Sequence, residues 1–571
     1  MLGSLALLLA IATPLASDST PLGGISADRP NIVWLVVEDM SPWLPCYGDN
    51  TVPTPNLDRL AARSGRYVNA FATSPVCAPA RSSLITGMYA TRIGSMHMRT
   101  VNRSQAALDA DLHAYDGIPL YEAVPPAFVR AFPEHLRAAG YYCTNHSKTD
   151  YQMTIPATTW DASSGRAHWR NRAEGQPFFA VFNHAGTHES QAFPEARRRP
   201  EVVTTETVPI PPIYPDTPAV RDAMARTYNN IAQMDVWVGE RIKELEDDGQ
   251  IDSTVIFFYS DHGVGLPRGK RSCYDTGTRV PLLVAFPEKF AHLAPSDWAA
   301  GGVQDRVVSF IDFGPTVLSI AGIEPDPRLD GRAFLGAHTR GGTGLAFAHA
   351  DRFDSIYDQA RSVSDGRYRH IRNYMTEVPH LIANRYRERI QMTADLYALR
   401  GTDFESQERA ALWQVGSTTR PREELYDSAQ DPWEVKNLAD DPAYQERLKR
   451  MRAELVKWIV STNDLGFIRP ESKLVRDHLW PPEGKQPATA DPRINLVPSE
   501  DGFTTVGVTC ATEGASIGYR LGDEGSWAPY RGELTIDTAR LPDFVARAHR
   551  MGFKPSKIVH AFAPTARTGS S

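Results

Sequence analysis

The chain has 571 residues, 42% of them hydrophobic and 23% charged, with a formal net charge of −7. That length predicts about two or three domains, and the composition is that of a folded globular protein. The negative balance argues against a nucleic-acid binder, while a local cluster of Lys, Arg and metal can still receive an anionic substrate.

Residues 1–17, MLGSLALLLAIATPLAS, read as a secretory signal: a short apolar run from Leu5 to Ala12, then small residues at Ala16 and Ser17. A secreted or periplasmic protein is expected. No later run reaches the roughly 20 apolar residues of a membrane span. The five cysteines, Cys46, Cys77, Cys143, Cys273 and Cys510, are too scattered for a disulfide framework or a zinc cluster.

From Pro30 the pattern alternates strand, loop and helix. Asn31–Val37 is a continuous apolar run that suits a strand buried on both faces of a parallel sheet. Pro55–Ala62 and Phe132–Ala139 read as short helices, the second closed by Gly140. Tyr141–Thr144, Phe178–Phe182 and Thr254–Tyr259 read as strands. Between the last two, Asp216-Thr217-Pro218 opens a long helix with a cap and a first-turn proline. The prediction is an α/β fold with a mostly parallel central sheet flanked by helices, whose ligands bind beyond the carboxyl ends of the strands. This catalytic region spans 28–340.

After Arg340 the rhythm changes. A smaller α+β subdomain is expected over 341–469, with strands at Ala346–Ala350 and Tyr368–Arg372 and an amphipathic helix over Pro442–Ser461. The segment 470–492 is rich in proline and charge and reads as a linker. Short strand-like runs over 493–565 predict a small β-sandwich-like module.

The residues that carry chemistry sit just past strand ends. Glu38-Asp39 and Asp261-His262 offer carboxylates and an imidazole to a divalent cation; oxygen ligands favour Ca²⁺ or Mg²⁺, while the imidazole tilts toward a transition metal. Cys77-Ala78-Pro79-Ala80-Arg81 places Arg81 four residues after Cys77, on the same side of a helix beginning there. Lys148 and Lys270 follow strands, and His188 follows the Phe178–Phe182 run. A cysteine, a metal site, three cations and a histidine suit transfer of an anionic tetrahedral group: cations stabilise its oxygens and a histidine protonates the leaving atom.

Cys77-x-Pro79-x-Arg81, followed by Ser82-Ser83-Leu84-Ile85-Thr86-Gly87, resembles the signature of the type I sulfatases, the formylglycine-dependent branch of the alkaline-phosphatase-like superfamily. Thr54-Pro55-Asn56-Leu57-Asp58, Leu136-Arg137-Ala138-Ala139-Gly140-Tyr141, Ser260-Asp261-His262-Gly263, Gly269-Lys270, and Leu425-Tyr426-Asp427 follow in the family's order. The resemblance implies that a maturation enzyme converts Cys77 to formylglycine, whose hydrate attacks sulfur. It implies further that Glu38, Asp39, Asp261 and His262, with the modified Cys77, hold the metal, Ca²⁺ by analogy. Arg81 would then brace the formylglycine, Lys148 and Lys270 bind sulfate oxygens, and His188 protonate the leaving group. Where relatives carry a histidine two residues after the lysine, this chain has Asp150; Asp150, His146 or His97 is left to take that role. The wording around Glu38 and Arg268 is similar to the branch of N-sulfoglucosamine sulfohydrolases and bacterial polysaccharide sulfatases. A sulfated carbohydrate is the implied substrate, with Asp150, His97, His349, Arg352 and Asp354 as candidate contacts. The alternatives are a phosphohydrolase of the same superfamily and a catalytically silent glycan-binding protein.

Overall fold

The computed structural model describes residues 29–101, 103, 115–400, 402, 412–522 and 524–562. The expected signal segment lies outside the described residues. Among the described residues, no helix is long and apolar enough to cross a membrane.

Eight strands form the central sheet. Those beginning at Ala162, Tyr142, Phe178, Asn31, Thr254, Leu282, Ser64 and Val303 lie side by side in that order. The first five run parallel, and the Leu282–Ala285 strand turns antiparallel to its neighbours. Asn31–Val37 is fully buried at the centre. Its side chains alternate, as the pleat requires. Val33, Leu35 and Val37 join a core with Val220, Met224, Tyr228 and Ile231 of the long helix. Ile32, Trp34 and Val36 join another with Leu84, Phe132 and Phe313. A strand apolar on both faces therefore has helices on both.

The long helix runs Pro218–Asp247; the Thr217 hydroxyl accepts from Val220 N, and proline occupies the first turn. The Cys77–Thr86 helix is buried along its whole length. Such a helix has no solvent face, which is why periodicity does not reveal it.

A second, antiparallel sheet contains Ala346–Ala350, Ala360–Ser364, Tyr368–Asn373 and Glu423–Asp427. The Gln445–Ser461 helix packs against it through Leu448, Met451, Leu455 and Trp458. Residues 493–560 form two small antiparallel sheets around Val506, Val508, Ile536 and Phe544. They sit on the catalytic region: Ser516 Oγ donates to Glu134 at 2.5 Å, and Arg550 donates to Pro125 O at 2.9 Å.

The stretch expected as a linker differs at its start. Glu471–Leu474 and Val475–Leu479 are helical, and Leu474, Val475 and Leu479 pack with Met96 and Tyr121. Glu471 is buried and pairs with Arg352 at 2.5 and 3.1 Å. The flanking prolines and charges obscure three apolar residues at helical spacing and an acid that a buried arginine requires.

Candidate active site

Three parallel strands end together. Val37 is in register with His184 and Ser260, so the residues that follow each strand meet at one edge of the sheet. Glu38 N donates to His184 O, and Asp261 N to Val37 O, which ties the loops to one another. Asp39 adopts φ 55°, a left-handed conformation costly for a residue with a Cβ. The turn after Asp261 needs glycine for space: a Cβ on Gly263 would stand 2.0 Å from Thr276 O, and one on Gly265 would stand 2.9 Å from Asp39 Oδ2.

Cys77 Sγ, Asp261 and His262 place ligating atoms within 4.8 Å of one another; so do Glu38, Asp39 and His188. All but His188 are buried. Arg81 donates from Nε to Asp261 at 3.0 Å and from Nη1 to Asn183 at 2.8 Å. Lys148 Nζ lies 2.6 Å from Glu38. Lys270 Nζ lies 2.8 Å from Asp39 Oδ2, 3.0 Å from Glu189 and 3.3 Å from His188 Nε2. His188 Nδ1 accepts from Ser190 N at 3.3 Å and lies 2.9 Å from the Ser190 hydroxyl, which can also donate to it. Burial, then the Lys270 charge, lowers the His188 imidazole below its ordinary value, opposed by Asp39, Glu38 and Glu189.

The donor set fits a cation. His262 Nδ1 lies 2.9 Å from Gly263 O, which can only accept, so Nδ1 carries the hydrogen and Nε2 is left bare. That Nε2 is buried without a hydrogen-bond partner and faces Asp39 Oδ1 at 2.9 Å and Asp261 Oδ1 at 3.8 Å. A lone pair against two carboxylates requires a positive charge between them, a proton or a metal ion. With a proton there, burial opposes the charge but Asp39 and Asp261 raise the imidazole to about 10. Burial likewise opposes ionisation of Asp39, yet Lys270, His188 and His262 hold its carboxyl well below the usual range.

The other expected residues fall into two groups. His97, His349 and Arg352 are at most 2% exposed. Their partners are internal: Arg352 N donates to His97 Nδ1 at 3.2 Å, and His349 Nδ1 lies 2.8 Å from Asp351. All three are buried side chains of the fold. Asp354 and Asp150 lie nearer the surface. Asp354 takes Arg271 at 3.2 Å and Arg99 at 3.6 Å; Asp150, with φ 60°, sits in the loop after Lys148. His146 stacks on Phe182 with centroids 5.8 Å apart.

Three residues at the site, Asn183, Glu189 and Arg271, lie outside the expected set. Asn183 braces Arg81. Glu189 joins Lys270 to Arg271, which it binds at 2.8 and 3.0 Å. Arg271 and Arg268 flank Lys270 in left-handed conformations, φ 76° and 67°. Adjacency to His188 and Lys270 is the one signal in the sequence that points to Glu189 and Arg271.

Comparison with known proteins agrees with this geometry. The sulfatase family profile matches residues 30–165 and 166–323. An ulvan-active sulfatase of Formosa agariphila is 40% identical, covering 93% of this chain and 91% of its own. Human N-sulphoglucosamine sulphohydrolase is 25% identical over 79% of this chain and 94% of its own. The phosphonate monoester hydrolase of Silicibacter pomeroyi shares the fold, with TM-score 0.52 and 16% identity over 76% of this chain and 96% of that one. Its likeness is of fold alone. The profile match and the 40% identity along almost the whole length settle the family: the chain belongs to the sulfatases, hydrolases of sulfate esters.

Proposed function

We propose that the protein is a secreted or periplasmic enzyme that removes sulfate from an acidic polysaccharide of the ulvan type, with Cys77 as the precursor of its nucleophile. The observation that carries this reading is the placement of the Cys77 sulfur beside Asp261 and His262, in a buried site faced by two lysines and an arginine. The likeness to the ulvan-active sulfatase favours ulvan-type glycans over N-sulfoglucosamine, the substrate class in the name of the less similar relative.

Glu38, Asp39, Asp261 and His262 would hold a divalent cation, Ca²⁺ first and Mg²⁺ or another metal second; when bound it supplies positive charge against which a sulfate oxygen is polarised. Conversion of Cys77 to formylglycine by a maturation enzyme would supply an oxygen nucleophile in place of sulfur. The chain's own groups do the rest. Arg81, fixed between Asp261 and Asn183, holds the Cys77 side of the site in place. Lys148 and Lys270 bind sulfate oxygens. His188, once its imidazole has taken up a proton, would give that proton from Nε2 to the leaving oxygen.

The test is mass spectrometry of the Cys77 peptide together with sulfate release from a glycan panel. We expect a loss of about 18 Da relative to the thiol, as conversion of thiol to aldehyde requires, and sulfate release that Cys77→Ala abolishes. An unmodified thiol after expression with a maturation enzyme, or faster turnover of an aryl phosphate than of an aryl sulfate, overturns the reading. A modified, metal-loaded protein that releases no sulfate from any glycan supports a silent binding protein instead.

A further inference from the structure

A second polar cleft lies one short turn from His188. It has a volume of about 130 Å³ and is lined by Gln191, Arg197, Arg199 and Asn230 among others. The run Arg197-Arg198-Arg199 supplies its charge. Two acids also line it. Asp222 is already taken, by Arg198 at 2.9 Å and Arg226 at 2.8 Å. Glu201 is exposed.

The remaining side-chain donors have no partner among the described residues. Among the described residues, Arg197 and Arg199 form no ion pair, and Arg199 Nε is buried without a hydrogen bond. Asn230 is 5% exposed, lines the cleft, and its amide makes no hydrogen bond to another described residue. Its neighbour Asn229 shows what a structural amide looks like here: it accepts from Val202 N and Val203 N and donates to Val203 O, all at 2.8–2.9 Å. The buried Arg199 Nε is costly to leave without a partner unless something fills the cleft, and the Asn230 amide and the exposed Arg197 line the same space. That something carries negative charge and acceptor oxygens, since guanidinium forks match carboxylate and sulfate groups.

Position identifies the occupant. Gln191 N donates to His188 O at 2.8 Å within the Glu189–Ala192 turn. A 3₁₀ turn rises about 2 Å per residue, so Gln191 stands about 6 Å along it from His188, a separation on the scale of one sugar ring. We propose that this cleft binds a second anionic group, a carboxylate or sulfate on a sugar next to the one being desulfated, so that the enzyme reads an acidic oligosaccharide and not an isolated sulfate ester. This rests on the sulfated-glycan reading above.

The test compares wild type with Arg197→Gln/Arg199→Gln, both exposed or half-exposed positions that tolerate exchange. Substrates are 4-methylumbelliferyl sulfate and sulfated, uronate-containing oligosaccharides from ulvan. We expect the ratio of kcat/KM for the oligosaccharide to that for the aryl sulfate to fall about tenfold, through KM. An unchanged ratio overturns the proposal. Reducing the uronate carboxylates to alcohols separates the sources: a matching fall in wild type assigns the second anion to a carboxylate, and no fall assigns it to a sulfate ester. Affinity of the Cys77→Ala protein for the same oligosaccharides needs no turnover. A tenfold loss on adding the arginine substitutions supports the cleft even if no substrate is hydrolysed, and an unchanged affinity overturns it. Failure of catalysis alone counts against the hydrolase reading.

Discussion

Glu189→Gln is the sharpest single perturbation of the site's scaffold. Glu189 is 3% exposed and lies 3.0 Å from Lys270 and 2.8 Å from Arg271. At an effective dielectric of about 20, a unit pair at 3 Å interacts by about 5 kcal/mol. The net loss is smaller. Each cation keeps another acid, Asp39 at 2.8 Å from Lys270 and Asp354 at 3.2 Å from Arg271, and Glu189 no longer repels Asp39. Breaking a buried pair costs about 3–5 kcal/mol, and glutamine retains hydrogen-bonding atoms, so about 3 kcal/mol is expected. With unfolding entropy near 2.1 cal/mol/K per residue, a chain of 571 residues should lose about 2–3 °C in calorimetric Tm. Activity on an aryl sulfate should fall at least tenfold, because Lys270 loses one of the two acids that aim it. Glu246→Gln, on an exposed face of the long helix, should change neither. A Glu189→Gln protein with unaltered Tm and unaltered kcat/KM would refute the assignment of Glu189 as the anchor of Lys270.

Removal of metal with EDTA should lower Tm, and Ca²⁺ should restore it by about 4 kcal/mol of stability at a thousandfold excess over Kd; Asp261→Asn should abolish the response, and a Tm indifferent to Ca²⁺, Mg²⁺ and EDTA would count against a metal at these carboxylates. At the docked C-terminal sheets, burial raises the Glu134 carboxyl above its ordinary range, only partly offset by the Ser516 hydroxyl, the Arg130 charge and the hydroxyls of Thr158 and Thr159. A group whose folded pKa is raised contributes stability that is complete below its unfolded value and lost as pH rises through the folded one. The Tm of Glu134→Gln relative to wild type should therefore move upward from pH 4 to pH 8, and a difference that is flat or moves downward would show that the carboxylate is not destabilised by burial.

Strands with apolar runs were the most legible part of the fold. Asn31–Val37 matches its expected bounds, because a strand covered on both faces leaves a continuous hydrophobic word. The short Ser64–Tyr67 strand carries no such word; its pairing comes from the neighbours. At the site, Glu38, Asp39, Asp261 and His262 are legible as polar pairs that end apolar runs, and the sheet's register then brings them together. Arg352 and His97 looked equally functional by residue type. Only the tertiary structure shows that Glu471, far along the chain, occupies Arg352. Arg197 and Arg199 are plain in the sequence as a basic run; their lack of internal partners is a property of the fold.

The Cys77–Thr86 helix has a consequence for the order of events in the life of the chain. Cys77 is 5% exposed and every residue of its helix is buried. Another protein cannot grip this segment once the sheet and its helices have closed over it. On the proposal that Cys77 becomes formylglycine, its conversion would compete with folding and would have to precede burial of this helix. A variant that folds faster, or a host that modifies more slowly, would fill with well-folded protein that is permanently unmodified, stable by every calorimetric measure and inert.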